Sequence, residues 1–351
     1  MKYSITDIQK ILTAAWLRQS DPFAPVEQLL LDSRHITAPA VSLFFALPGK
    51  RHDGHRYLDA LYQAGVRQFV VSEKVNAQPF PEANILHVGN TLEALQQLAA
   101  FHRTRFQIPV VGITGSNGKT VVKEWLYQLL APDFHIARSP KSYNSQTGVP
   151  LSVWQMQPEH TLSIFEAGIS QPGEMERLER IIRPDIGIFT NIGPAHREGF
   201  SSKMQKVEEK MRLFDHAKTL IYCADHEKIA EAVSRWKNAE RAAFSWSREG
   251  RDADLRITEV QPLPDGHTRI TGLFPPEHPI LAGGQSSVAD RRSQVTDRRS
   301  SVVIPFSDPA SVENAIHCWA LLHLLHVSQE QIAARMRHLE PVEMRLELKA
   351  G

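Results

Sequence analysis

The run Ile108-Pro109-Val110-Val111-Gly112-Ile113 gives way to Thr114-Gly115-Ser116-Asn117-Gly118-Lys119-Thr120, and no other stretch narrows the fold of this chain so far. The apolar run is of the kind found in parallel strands that are covered on both faces. After the loop, Val121, Val122, Trp125, Leu126, Leu129 and Leu130 recur at helical spacing. A glycine-rich turn between a strand and a helix points successive backbone N–H groups at one spot. That spot is a helix N-terminus, which already favours an anion. Lys119 adds a point charge for outer phosphates, and the Thr120 hydroxyl is suited to ligate Mg²⁺. The strict G-x-x-x-x-G-K-[ST] pattern has glycine where this chain has Ile113, so the loop is a variant P-loop. An ordinary strand–turn–helix with a chance Gly-Lys-Thr is the bland alternative, and the periodicity on both sides argues against it.

A chain of 351 residues exceeds one ordinary core, so two or more domains are expected. Its 40 basic and 39 acidic residues nearly cancel, which argues against a general nucleic-acid or membrane-binding footprint. Cys223 and Cys318, far apart, form neither a disulfide framework nor a metal spacing and fit a reducing cytoplasm. Ser4 and Asp7 read as the capped start of a helix rather than as part of a signal peptide. No run approaches the ~18 apolar residues of a membrane span. A soluble cytoplasmic protein is expected.

Short strand and helix patterns alternate throughout. Before residue 105, 43–47, 68–71 and 84–88 read as strands, with 57–64 and 92–105 as helices. This predicts a small N-terminal α/β domain over 1–105. From 106 to 340 the rhythm continues with strands at 162–165, 186–189 and 219–222 and helices at 175–182, 203–217 and 310–325, then a second helix reaching 339. The α/β expectation for that part is a central, doubly wound, mainly parallel-sheet domain. Residues 283–301 break the rhythm with a near-repeat, Ser287-Val288-Ala289-Asp290-Arg291-Arg292-Ser293 followed by Gln294-Val295-Thr296-Asp297-Arg298-Arg299-Ser300. A basic patch for an acidic partner is one reading. A disordered insertion between strands is preferred, because nothing in it builds a core.

Further candidates lie where a doubly wound sheet places its ligands, past the C-terminal ends of strands. Glu166 follows the strand at 162–165, where a carboxylate is able to ligate Mg²⁺ bridging ATP phosphates. Taken alone it is an ordinary strand-end glutamate. Asn191 and His196 occupy Thr190-Asn191-Ile192-Gly193-Pro194-Ala195-His196 at another strand end. A neutral His196 suits a second metal ion, although Mg²⁺ prefers oxygen and a loop histidine more often serves as a hydrogen-bonder. Lys210 lies on a charged helix where periodicity alone reads it as solvated, and Asn144 in Tyr143-Asn144-Ser145-Gln146-Thr147-Gly148 reads equally well as a turn residue. These residues describe an enzyme that uses ATP and Mg²⁺. They do not name its acceptor.

At these residues the chain resembles the Mur ligases, which add amino acids or dipeptides to UDP-N-acetylmuramate in peptidoglycan assembly. Thr114-Gly115-Ser116-Asn117-Gly118-Lys119-Thr120 resembles that family's P-loop, with Glu166-Ala167-Gly168 through Pro172-Gly173-Glu174 resembling a metal-binding strand end. Asn191 through Phe200 is similar to the branch that joins D-alanyl-D-alanine to UDP-N-acetylmuramoyl-tripeptide, most sister ligases having Asp before the histidine. The resemblance implies an ATP-dependent ligase acting through an acyl phosphate, with ATP and Mg²⁺ as cofactors. It implies UDP-substrate contacts from Ser33 and Arg34 in Asp32-Ser33-Arg34 and from Asp53-Gly54-His55. It further implies an adenine contact from Asn314, metal ligation by Thr120, Glu166, His196 and Lys210, and catalytic roles for Lys119, His196 and Lys210. Lys210 falls where the family has a lysine that is commonly carbamylated, although the family's glutamate two residues later is Arg212 here.

Met344-Arg345-Leu346-Glu347 resembles the family's hinge, so 341–351 is expected to lead to a C-terminal domain outside these 351 residues, and the chain alone is expected to be inactive. Glu313 through Cys318 resembles fusions that carry an alanine racemase downstream, although no racemase chemistry resides here. A folylpolyglutamate synthase-like ligase and an inactive nucleotide-binding fragment are the alternatives. The UDP-type motifs argue against the former.

Overall fold

A computed structural model of the chain describes residues 3–34, 36–49, 53–193, 199–274 and 298–342. His196, the repeat over 283–297 and the hinge residues 343–351 lie outside the described residues. The chain divides into two compact units. The first comprises Met1–Gln107, Tyr143–Glu159 and Arg180–Ile182; the second comprises Ile108–Ser142, His160–Glu179 and Arg183–Gly351.

In the first unit, β1 (Tyr3–Ser4) pairs antiparallel with β3 (Pro25–Val26) and leads into α1 (Ile5–Leu12). The expected cap is present as a full capping box: Ser4 Oγ accepts from the Asp7 N–H at 3.1 Å, and the Asp7 carboxylate accepts from the Ser4 N–H at 3.0 Å. β2 (Ala15–Arg18), β4 (Gln28–Leu30), β5 (Ser42–Phe45), β6 (Gln68–Val71) and β7 (Asn84–His87) form a five-stranded sheet in the order β2-β7-β6-β5-β4. Only β2, on one edge, runs antiparallel to its neighbour. Alternate residues of β5 and β6 feed two cores, Phe45 and Val70 on one face, Phe44 and Phe69 on the other. That explains why these strands read as unbroken apolar runs. A 3-10 turn (Gly54–Tyr57) precedes α2 (Leu58–Gln63), and Asn90 caps α3 (Thr91–Arg103). α5 (Gly148–Trp154) also belongs to this unit; Trp154 packs in the Tyr3 core and donates its indole N–H to the Glu27 carbonyl at 2.9 Å. His102 is buried between the Tyr3 hydroxyl and the Met156 carbonyl, and desolvation lowers its pKa to about 4.

The second unit is built on nine strands in the order β16-β15-β14-β13-β12-β11-β8-β10-β9. β8 (Val110–Thr114), β9 (Ile136–Arg138), β10 (Leu162–Glu166), β11 (Ile186–Phe189), β12 (Thr219–Cys223), β13 (Ala242–Ser247) and β14 (Leu255–Pro262) run parallel. β15 (Thr268–Phe274) and β16 (Arg298–Ile304) add an antiparallel edge. Arg298–Ser301, expected as the end of an unstructured insertion, are strand instead. Their backbone pairs with Thr271–Phe274, so they gain a hydrogen-bonded ladder without needing apolar side chains of their own.

α4 (Lys119–Leu130), α6 (Glu174–Ile182), α7 (Lys203–Met211), α8 (Glu227–Trp236), α9 (Pro309–Leu324) and α10 (Gln329–Met336) complete the fold. α7 stops at Met211 and the chain continues as a 3-10 turn (Arg212–Phe214), shorter than the 203–217 helix the sequence suggests. α9 is apolar almost all round; Ile316, Trp319 and Leu322 share one core with Trp125 and Leu129 of α4. No helix among the described residues is long and apolar enough to cross a membrane.

The strand order makes the site. β8 lies between β10 and β11, with Glu166 in register with Ile113 and Phe189 in register with Thr114. The chain ends of three adjacent strands therefore converge where the crossover direction reverses.

Candidate nucleotide and metal site

The loop between β8 and α4 depends on two glycines. Gly115 has φ +148° and a Cβ there would lie 1.9 Å from Thr190 Oγ1; Gly118 has φ +79° and a Cβ there would lie 2.2 Å from Asn314 Oδ1. Gly118 is the N-cap of α4, and no side chain caps the helix, which leaves its first turn to a ligand.

The end of β11 braces the loop from one side. The Asn191 carbonyl accepts from the Ser116 N–H at 2.9 Å, its Oδ1 accepts from the Asn117 N–H at 3.0 Å, and Thr190 Oγ1 donates to the Asn117 carbonyl at 2.6 Å. Behind it, His317 on α9 accepts from the Trp246 indole N–H at Nδ1 (3.2 Å) and contacts the Thr190 carbonyl through Nε2 at 3.1 Å. An indole only donates and a carbonyl only accepts, so His317 carries its proton on Nε2. Complete burial lowers its pKa to about 4 and keeps the ring neutral.

On the other side stands Glu166, fully buried at the end of β10. Its Oε2 accepts from Thr120 Oγ1 at 2.9 Å, and Thr120 Oγ1 lies 3.2 Å from Ser142 Oγ. Glu166 Oε1 is buried and accepts no hydrogen bond. A buried carboxylate with one oxygen free of hydrogen bonds, beside a threonine hydroxyl, fits a hard divalent cation, whose ligands are oxygens. Two ammonium groups also converge: Lys119 Nζ donates to the Gly115 carbonyl at 2.9 Å and Lys210 Nζ to the same oxygen at 3.3 Å. Lys210 is only 1% exposed despite its place in a charged helix, so the solvated reading from periodicity does not hold. Glu209 anchors α7 by accepting from the N–H groups of Gly173 (2.8 Å) and Met175 (3.1 Å) at the start of α6.

Thr114 through Thr120, Glu166, Asn191, Lys210 and Asn314 thus all belong to the second unit, and the contacts above join them. The sequence reading missed Thr190 and Lys123. Thr190 was visible only as the residue before Asn191. Lys123 had a weak signal, a lysine three residues after Thr120 that lies one residue from Val122 and two from Trp125 on the apolar side of the helix.

Apart from His196, which lies outside the described residues, the remaining candidates are in the first unit. Asn144 is half-buried in the turn before α5. Arg34 is 80% exposed along its side chain and is held by Asp32, Nε to Oδ1 at 2.9 Å and Nη2 to Oδ2 at 2.6 Å, with half-buried Ser33 between them. His55, in the turn that starts at Gly54, is committed internally. Its Nδ1 lies 2.7 Å from Asp53 Oδ1, and its Nε2 accepts from the N–H groups of Ser72 (3.1 Å) and Glu73 (3.3 Å). The hydrogen bond from His55 holds the Asp53 carboxyl below its usual value. Asp53, His55 and Glu73 have metal-ligand spacing, but with both ring nitrogens engaged this cluster ties loops together.

Residues 113–278 match the Mur ligase middle domain, and residues 25–103 match the Mur ligase family catalytic domain. A UDP-N-acetylmuramoyl-tripeptide–D-alanyl-D-alanine ligase of Bacillus subtilis (strain 168) is 35% identical over 196 residues, 55% of this chain and 42% of that protein. One of the same name from Synechocystis is 30% identical over 270 residues, 76% of this chain and 58% of the relative. The chain thus spans 42% to 58% of the length of these relatives. A crystal structure of MurF from Acinetobacter baumannii superposes with TM-score 0.81 at 25% identity, covering 99% of this chain and 70% of that one. MurF ligase from Thermotoga maritima in complex with ADP shares the fold, with TM-score 0.72, 24% identity and 90% and 67% coverage.

Proposed function

This chain belongs to the Mur ligase family, and we propose that it carries the UDP-substrate- and ATP-binding parts of a ligase that joins D-alanyl-D-alanine to UDP-N-acetylmuramoyl-tripeptide in peptidoglycan biosynthesis. The observation that carries the nucleotide half is the Thr120–Glu166 hydrogen bond beside the glycine loop, with Glu166 buried and its Oε1 accepting no hydrogen bond from the described residues. The relatives' shared name carries the substrate half.

In this reading the first turn of α4 and Lys119 bind the β- and γ-phosphates, and Asn314 faces the adenine. Thr120 and Glu166 would hold Mg²⁺, which would supply charge neutralisation for the phosphates. Lys210, carbamylated at Nζ, and His196 are assigned to a second Mg²⁺. Asn191 keeps the loop amides in place. A carboxylate oxygen of the tripeptide attacks the γ-phosphorus and ADP leaves with the bonding pair, giving an acyl phosphate. The D-alanyl-D-alanine amine then attacks the acyl carbon; phosphate departs and the amine loses a proton. The loop amides and Lys119 meet charge that grows on the phosphoryl oxygens, which is where fixed dipoles help most. Ser33, Arg34 and the Asp53-Gly54-His55 turn are assigned to the UDP end, and Asn144 to the active site. The ATP requirement puts the reaction in the cytoplasm. The likeness of Glu313–Cys318 to racemase fusions extends the proposal to a downstream alanine racemase as partner.

Calorimetric titration tests the reading. ATP with Mg²⁺ and UDP-N-acetylmuramoyl-tripeptide should each bind the purified chain. Failure of the first overturns the nucleotide site, and failure of the second overturns the substrate.

A further inference from the structure

One more charged side chain is buried at this site, and the reaction as described makes no use of it. Lys123, one turn past Thr120 on α4, is fully buried. Its Nζ donates to the Ser139 carbonyl at 2.7 Å and to the Lys141 carbonyl, and it lies 3.1 Å from Glu124 Oε1. It also lies 3.5 Å from Glu166 Oε1, the oxygen that accepts no hydrogen bond. Ser139 closes the arrangement, since its Oγ accepts from the Glu166 N–H at 3.4 Å. An aliphatic side chain would serve helix packing here at no desolvation cost, so the ammonium is present for its charge. Without it, Glu166 would be a buried carboxylate with no cation paired to it among the described residues.

We propose that Lys123 is a resident cation that stands in for the divalent metal at Glu166, so that the metal is admitted only together with the nucleotide. The proposal rests on the Mg²⁺–nucleotide reading above. While the nucleotide is absent, the ammonium compensates the carboxylate and keeps Oε1 aimed at the loop. It is held from behind by two carbonyls, so an arriving metal ion cannot displace it. A bare divalent ion at Oε1 therefore meets a fixed positive charge a few ångströms away in a low-dielectric setting, where like charges repel strongly. Nucleotide phosphates bring the negative charge that offsets this repulsion. Lys123 is a positioning residue; none of its contacts is with the loop amides that receive phosphate.

Mn²⁺ serves as the probe, titrated by electron paramagnetic resonance and by thermal melting into the purified chain without nucleotide. The parent should bind Mn²⁺ weakly and melt at the same temperature with or without it. Lys123→Met and Lys123→Gln should bind one Mn²⁺ about tenfold tighter or more. They should also melt lower than the parent without metal and recover when Mn²⁺ is added. Lys123→Arg, which keeps the charge, should behave as the parent. Adding Glu166→Gln to either neutral variant should abolish the gain. The proposal is overturned if the neutral variants bind Mn²⁺ no tighter than the parent, if the parent alone binds it as tightly as they do, or if the gain survives Glu166→Gln. Should Lys123→Met fail to fold, Lys123→Gln, which keeps N–H donors near the two carbonyls without the charge, carries the same comparison. A parent that binds no nucleotide, with or without Mn²⁺, defeats the earlier reading, while the nucleotide-free comparison still judges Lys123.

Discussion

In the second unit three polar groups of the candidate site are buried, Glu166 and Thr190 at 0% and Lys210 at 1% exposure, whereas in the first unit the Arg34 side chain is 80% exposed. The buried groups take their positions from strand order: β8 between β10 and β11 leaves Glu166 and Thr190 little freedom. Arg34 takes its position from a local turn in which Asp32 Oδ1 accepts from the Arg34 N–H at 3.0 Å. Binding and stability should therefore be entangled at the buried groups of the second unit and separable at Arg34 in the first.

Lys119→Ala gives the largest expected effect and the cleanest contrast. Lys119 is only half-buried, so folding should hardly notice the change, while ATP affinity should fall by about two orders of magnitude or more. Binding of UDP-N-acetylmuramoyl-tripeptide to the first unit should stay within about twofold, since no charge there is touched. Calorimetry with both ligands reads this directly, and unchanged ATP binding would end the P-loop assignment.

Acid should weaken both units alike, by a different route. His102 and His317 are buried neutral, with pKa lowered to about 4 in each. The unfolded chain binds protons at these rings near pH ~6.5 and the folded chain does not, so stability is full above that value and is lost as pH falls towards about 4. Each histidine accounts for up to about 3 kcal/mol of that loss. Urea titrations at pH 7 and pH 5, with His102→Phe and His317→Phe in parallel, measure it. A flat profile in the parent would mean that these rings are not buried neutral.

Gly115→Ala probes the entanglement itself. A methyl group at φ +148°, 1.9 Å from Thr190 Oγ1, forces the end of β11 away from the loop. The cost should be about 2–3 kcal/mol of stability, with nucleotide affinity falling about tenfold. Loss of affinity at an unchanged melting temperature would show that the brace is not part of the core.

The difference between the units also explains what the sequence could reveal. The strand at 110–114, the loop and α4 were legible because apolar periodicity brackets a motif with a physical purpose. The burial of Lys210 was not, since a charged helix reads as solvated unless one knows which strand end it faces. Nor was the pairing of Arg298–Ser301 with β15, because an antiparallel edge strand is stabilised by backbone ladders that leave little trace in side chains. His55 looked like a ligand residue by resemblance, and its hydrogen bonds to the N–H groups of Ser72 and Glu73 depend on contacts that are distant in sequence.

The smallest expected effects separate Arg34 from His55 within the first unit. Arg34→Ala removes an exposed pair with Asp32, which should cost less than about 0.5 kcal/mol of stability. If the guanidinium contacts the charged or polar UDP end, the same change should weaken substrate binding about tenfold. His55→Ala takes an acceptor from the Ser72 and Glu73 N–H groups and the partner from Asp53, so about 1–2 kcal/mol of stability should be lost. Its effect on binding should follow from loosening the loop rather than from a lost contact, so His55→Gln, which can still accept a backbone hydrogen bond, should recover part of both. Melting curves and UDP-N-acetylmuramoyl-tripeptide titrations on the three variants decide between the roles. If Arg34→Ala leaves the isotherm unchanged, the UDP assignment of the Asp32-Ser33-Arg34 turn falls. If His55→Ala weakens binding at an unaltered melting temperature, His55 reaches the ligand itself, and the first unit holds its site by the same buried, committed groups as the second.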